Sequence, residues 1–183
     1  MAYGSKKIGV PPVEGLTKRW ELVEEKVITA DCQKIDFEGL DGDKDVEYLL
    51  TGRIDNKDSG VTSYYWRLNK ANQPAGYRAW HLFGYDGTAD LHSVGHSDDS
   101  IILGADGSSR MAFNVYLFAK TGFRRYWLSS YIRRLAGTYE RRAIDIRGEL
   151  YDETTKYTEI GIFSSTTTGI GAGSIISLFR KRK

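Results

Sequence analysis

The sequence predicts an all-β fold: an antiparallel β-sandwich, jelly-roll-like, with an extended N-terminal arm. Three observations predict it. Apolar and polar residues alternate with period two along several segments, as in a strand with one buried face. Turn dipeptides separate those segments at spacings of roughly 10–20 residues, which suits a sandwich or barrel. Tyrosine (12) and glycine (20) are frequent and proline (3) is scarce, giving strand formers together with residues for turns and bulges.

Residues 1–15 read as the arm and residues 16–183 as one sandwich domain. Pro11-Pro12 disfavours helix in itself and in the residue before it, and terminal segments seldom join a core. The arm, Ala2 to Glu14, is expected to lie on a neighbouring subunit. Val13 to Val27 is ambiguous: Leu16, Trp20 and Val23 have helical spacing, while Trp20 to Val23 alternates loosely. From Glu47 to Ile54, Tyr48, Leu50 and Ile54 share one face and Leu49, Thr51 and Arg53 the other. Met111, Phe113, Val115 and Leu117 line one face of Arg110 to Ala119. Ala112, Asn114, Tyr116 and Phe118 line its other face, so cover on both sides is expected. In Arg124 to Arg134, Tyr126, Leu128 and Ile132 oppose Arg125, Trp127, Ser129 and Arg133. Arg142 to Leu150 sets Ile144, Ile146 and Leu150 against Ala143, Asp145, Arg147 and Glu149. Ile160 with Ile162, then Ile176 with Leu178, mark the last strands. Asp41-Gly42, Asp86-Gly87, Asp106-Gly107 and Thr121-Gly122 supply turn chemistry.

The chain has 183 residues, 40% of them hydrophobic, and a formal net charge of +2. That suffices for one domain with a real core. The near-neutral charge gives no bulk case for nucleic acid, which is not an expected partner. Cys32 is the one cysteine, so packing rather than an internal disulfide must hold the fold. No apolar run reaches the length of a membrane span, and no membrane partner is expected. Charge is unevenly spread. Residues 31–50 hold seven acidic side chains against two basic, and residues 120–147 hold eight basic against two acidic. Segments of opposite sign can register subunits in an oligomer. Asp41, Asp43, Asp45 and Glu47 on one side, with Arg124, Arg125, Arg133 and Arg134 on the other, are therefore interface candidates. Gly169, Gly171 and Gly173 join them, because alternate glycines in a strand offer bare backbone to another chain. A plain glycine loop is the competing reading.

Other clusters yield less. Asp41, Asp43, Asp45 and Glu47 resemble a calcium loop in charge, but Val46 and Gly52 stand where the EF-hand needs glycine and glutamate, so a solvated acidic turn is expected. His92 and His96 lie among aspartates without the ligand set of a structural zinc site. Asp31 beside Cys32 disfavours a reactive thiolate. Arg125 and Trp127 have the makings of a nucleic-acid stacking platform, yet sheet packing needs such aromatics. No catalytic residue, metal site or cofactor is expected. Tyr64, Trp66, Tyr77, Trp80 and Tyr85 are candidates for binding a glycan if they are exposed.

Two stretches carry a resemblance. The first runs Gly39-Leu40-Asp41-Gly42-Asp43, then Glu47-Tyr48-Leu49-Leu50-Thr51-Gly52-Arg53-Ile54. The second runs Ile162-Phe163-Ser164-Ser165, then Gly169-Ile170-Gly171-Ala172-Gly173-Ser174, then Leu178. Together they resemble a loose set of small virion structural proteins of tailed bacteriophages, over most of the chain from about residue 20. The resemblance implies a non-enzymatic β-rich subunit, either a capsid decoration or head-fibre protein or a tail-associated one, assembled in the host cytoplasm and resident in the virion. Its expected partners are copies of itself, as a trimer, and the major capsid or tail proteins. The alternatives are a carbohydrate- or receptor-binding module of a phage tail and, last, a glycan hydrolase.

Overall fold

The computed structural model describes residues 20–58, 61–69, 77–79, 81–85, 88–92, 101–107, 110–123, 125–134, 140–145, 147–150 and 155–182. These hold fourteen strands and no helix: β1 (Glu21–Val27), β2 (Lys34–Glu38), β3 (Asp45–Asp55), β4 (Val61–Leu68), β5 (Tyr77–Ala79), β6 (His81–Tyr85), β7 (Thr88–His92), β8 (Ile101–Gly107), β9 (Arg110–Phe118), β10 (Arg125–Arg134), β11 (Glu140–Asp145), β12 (Arg147–Leu150), β13 (Glu159–Ser164) and β14 (Ile175–Arg182). The chain is an antiparallel β-sandwich, as its alternation predicts.

The larger sheet has the order β1-β14-β3-β9-β10-β11-β6-β7, with β12 and β5 joined at the side of β10. The smaller sheet has the order β2-β13-β4-β8. The closing strands insert between earlier ones: β14 pairs with both β1 and β3, and β13 with both β2 and β4. Both sheets are thus completed by the end of the chain.

The core lies between the sheets. Tyr48, Leu50 and Ile54 of β3, Met111, Phe113, Val115 and Leu117 of β9, and Ile176 and Leu178 of β14 are buried from one side. Ile35, Phe37, Tyr64, Trp66, Leu68, Ile160 and Ile162 meet them from the smaller sheet. The two layers touch where the rings of Trp66 and Trp127 pack edge-to-face, 5.7 Å between centroids, a favoured aromatic geometry. Gly52 in β3 is needed for close approach, since a Cβ there would sit 2.6 Å from the carbonyl oxygen of Ile175.

The structure resolves one ambiguity and corrects other expectations. The described part of Val13 to Val27 is strand from Glu21 onward, because pairing with β14 satisfies its backbone. Arg142 to Leu150 is two strands: β11 pairs with β10 and β6, whereas β12 pairs with β5 and the start of β10. Asp106-Gly107 ends β8 rather than forming the turn, and the chain changes sheets between β8 and β9. Thr121-Gly122 does turn the β9–β10 hairpin, with Gly122 at φ 82°, where glycine carries no Cβ penalty. Asp86-Gly87 lies outside the described residues. Among the described residues one face of β9 is buried, while on the other Ala112, Asn114 and Phe118 are exposed and Tyr116 is half-buried.

Candidate interaction surface

The strand registers set the outer face of the larger sheet into rows across β1, β14, β3, β9 and β10. One row is Leu22, Phe179, Leu49, Tyr116 and Leu128. The next is polar, two residues along each strand except in β1, where a register shift between Leu22 and Glu24 makes it three: Glu25, Ser177, Thr51, Asn114 and Ser130. The third is Val27, Ile175, Arg53, Ala112 and Ile132. Side chains repeat on one face every second residue, so each row crosses the sheet at right angles to the strands.

Four of the five residues in the polar row bond to one another. Thr51 Oγ1 donates to Asn114 Oδ1 at 2.7 Å, and Ser177 Oγ to Glu25 Oε2 at 2.8 Å. The apolar side chains at the ends of the first and third rows are exposed, while Phe179, Leu49 and Tyr116 between them are half-buried. Leu22 is 55% exposed, Leu128 47%, Ile132 53% and Val27 58%. Tyr126 and Phe118 extend the first row at its β9–β10 end and are also exposed. Beside them Glu47 accepts a hydrogen bond from Tyr116 Oη and an ion pair from Lys181 Nζ at 3.3 Å. Burial, then the bond to Glu47, pushes the Tyr116 phenol up to about 12. The ring of Trp20 packs edge-on against Tyr116, 5.5 Å between centroids.

Of the acidic candidates, each carboxylate is held by a cation of its own chain. Lys156 Nζ bridges Asp41 Oδ1 at 2.8 Å and Asp43 Oδ2 at 3.0 Å, and Lys44 adds a contact to Asp41 at 3.2 Å. The hydrogen bond from Lys156 leads in drawing the Asp41 carboxyl down to about 2. Asp45 is fully buried, takes a 2.7 Å bond from Tyr48 Oη and pairs with Arg182 Nε at 3.0 Å. An ammonium thus stands between Asp41 and Asp43, where a calcium loop would place its ion. Among the described residues no group of three or more His, Cys, Asp or Glu is arranged to hold a metal. His92 lies in β7, and His96 lies outside the described residues.

Of the basic candidates, Arg125, Arg133 and Arg134 have strand positions in β10, and Arg124 lies outside the described residues. Trp127 is buried against Trp66, so its ring has no free face for a nucleobase.

The glycine segment is occupied by its own chain. Gly171 N–H donates to the Asp55 carbonyl at 2.8 Å, and Ile170 exchanges bonds with Cys32. Tyr64 Oη donates to the Gly169 carbonyl at 2.9 Å. A Cβ on Gly169 would meet Ser164 at 2.6 Å, and one on Gly171 would meet the Asp55 carbonyl oxygen at 2.4 Å. The bare backbone therefore serves close packing between β3, the β1–β2 connection and the end of β13, in place of the strand face offered to another chain. Gly173 is at φ 93°, as a turn residue. Cys32 joins this seam, and desolvation leads in raising its thiol above the ordinary range.

Tyr64 and Trp66 are core residues, 0% and 1% exposed. They belong to the inward face of β4, so the glycan-facing role expected for them is corrected. Trp80 lies outside the described residues, and Tyr77 and Tyr85 are placed only as strand positions in β5 and β6. The sequence reading placed Leu49 on the outer face of its strand but missed Leu22 and Phe179 beside it. The available signal was large apolar side chains on both faces of consecutive strands. No family model matches the chain, and no curated protein or solved structure matches it.

Proposed function

We propose that this chain is a non-enzymatic structural subunit of a tailed-bacteriophage virion, a jelly-roll sandwich that works through contacts with copies of itself, as a trimer, and with the major capsid or tail proteins. The observation that carries the reading is the apolar outer face of the larger sheet. Monomeric proteins rarely leave a wide contiguous apolar surface in water, and such surfaces mark interaction sites. Here one apolar row, Leu22 to Leu128, crosses five strands, and apolar cores supply most of the affinity in oligomer interfaces.

The strand order supports the fold part. Without β5–β7 and β10–β12, eight strands remain, in sheets β1-β14-β3-β9 and β2-β13-β4-β8. Numbered one to eight along the chain, these orders are 1-8-3-6 and 2-7-4-5, the arrangement of a double-sheet jelly roll. Viral capsid domains and lectins both use that architecture, so the order alone does not choose between them. Burial of Tyr64 and Trp66 weighs against the glycan site first considered.

The test is sedimentation of the full chain at micromolar concentration, beside a variant carrying Leu128→Glu and Ile132→Glu. Both positions are half-exposed, so the variant should fold with unchanged circular dichroism yet sediment as a monomer and fail to join particles. A wild-type chain that is monomeric throughout and absent from purified virions overturns the proposal.

A further inference from the structure

We infer that copies of this chain meet head to tail, the β1 end of one outer face against the β9–β10 end of the next. The inference rests on the proposed function and deepens it by naming which surfaces a copy offers its neighbours. The exposed apolar side chains of the outer face fall into two groups. Leu22 and Val27 stand on β1, the edge strand among the described residues, and Phe118, Tyr126, Leu128 and Ile132 stand on β9 and β10. Between the groups, the chain itself closes the first row. Phe179, Leu49 and Tyr116 are half-buried there, and the Trp20 ring packs on Tyr116. The third row is interrupted by Arg53, whose guanidinium donates to the Gly173 carbonyl at 3.1 Å. The open apolar surface is therefore two patches rather than one band.

The strands that carry them have opposite charge. β1 holds Glu21, Glu24 and Glu25 against Lys26, and all three glutamates are exposed. β10 holds Arg125, Arg133 and Arg134 and no acidic residue. Contact between like patches sets glutamate against glutamate or arginine against arginine. Contact between unlike patches brings opposite charges around an apolar centre, which selects partner and register. Glu21 and Glu24 also pair with Arg180 and Lys26 of their own chain, so the apolar groups supply the affinity and the charges choose the orientation. Sheet twist decides against one partner lying flat. Adjacent strands turn by roughly 20–25°, so over the four steps from β1 to β10 the patches come to face directions roughly 80–100° apart. One copy laid across the face by a two-fold axis cannot cover both. A neighbour at each end can, and a head-to-tail contact repeated by rotation closes a ring, the form the proposed trimer takes.

Cross-linking of the full chain tests this. Val27→Cys and Ala112→Cys, exposed positions of the third row, are placed singly and together in a Cys32→Ala chain. The reagent is a bismaleimide shorter than the roughly 14 Å that separates β1 from β9 within one chain. Neither single variant should give a covalent dimer, and the double variant should give a ladder ending at the trimer on a denaturing gel. A dimer from either single variant means that like patches meet, and overturns the inference. A double-variant ladder that stops at the dimer overturns it as well, and so does the absence of any cross-link. Each of these results leaves the proposed function standing where wild type sediments as an oligomer and is present in virions. A wild-type chain that is monomeric and absent from virions sinks both.

Discussion

Tyr48→Phe removes one oxygen atom from a fully buried polar pair, and its cost can be worked from the geometry. Tyr48 and Asp45 are both 0% exposed. The phenol donates to Asp45 Oδ2 at 2.7 Å, and the other bond to that oxygen, from the Asp41 amide, is long at 3.3 Å. Arg182 binds Oδ1 at 3.0 Å. The variant keeps the ring and its packing but leaves Oδ2 of a buried carboxylate nearly unpartnered. Hydrogen bonds to charged groups contribute about 1.5–3 kcal/mol, so a loss of about 2–3 kcal/mol is expected. For a chain of this length each kcal/mol corresponds to roughly 2–4 °C, giving a fall in Tm of about 4–12 °C. Urea titration followed by tryptophan fluorescence measures it as a lower midpoint with unchanged slope. A pH series adds an independent check. Burial first, then the bond to Asp45, raises the Tyr48 phenol well above its ordinary value of 10.0. A raised pKa contributes stability that is complete below the unfolded value and declines as pH rises past it. Wild type therefore loses stability above about pH 10 through this group, the variant does not, and the gap between them narrows. A gap below about 0.5 kcal/mol at pH 7 would refute the account of the cluster.

Two further outcomes follow from the packing and the charges. Gly171→Ala should destabilise by about 1–3 kcal/mol, because the new Cβ meets the Asp55 carbonyl oxygen at 2.4 Å and backbone cannot step aside. Gly161→Ala should cost less in the same urea titration, since its nearest neighbour is the movable Asp36 Oδ1 at 2.5 Å. On the acid side, Asp41 is held at about 2 against an ordinary 3.8, chiefly by Lys156. A depressed carboxyl contributes stability above its unfolded value and loses it as pH falls through the folded one. Thermal melts between pH 5 and pH 2 should show that decline in wild type, and Lys156→Met should flatten it.

The sandwich was legible in the sequence because burial on one face imposes period two. Tyr48, Leu50 and Ile54, or Met111 through Leu117, announce an inward face without any knowledge of their partners, and the structure buries all of them. Turn chemistry was equally local: Thr121-Gly122 needs a residue tolerant of positive φ, and Gly122 adopts it. What could not be read was which strands become neighbours. β14 lies between β1 and β3, a pairing across more than 120 residues that no local pattern encodes. The outer rows exist only through that pairing, since Leu22, Phe179, Leu49, Tyr116 and Leu128 are scattered in sequence and become adjacent by register. The same holds for Tyr64 and Trp66. Their chemistry suits an exposed glycan platform and a core equally, and the inward face of β4 decided for the core. The acidic segment looked free to meet another subunit until folding brought Lys156, Lys181 and Arg182 to it. Periodicity is a property of a strand and its solvent, so sequence alone determined it. Adjacency is a property of the closed sheet, so the tertiary structure alone decided it.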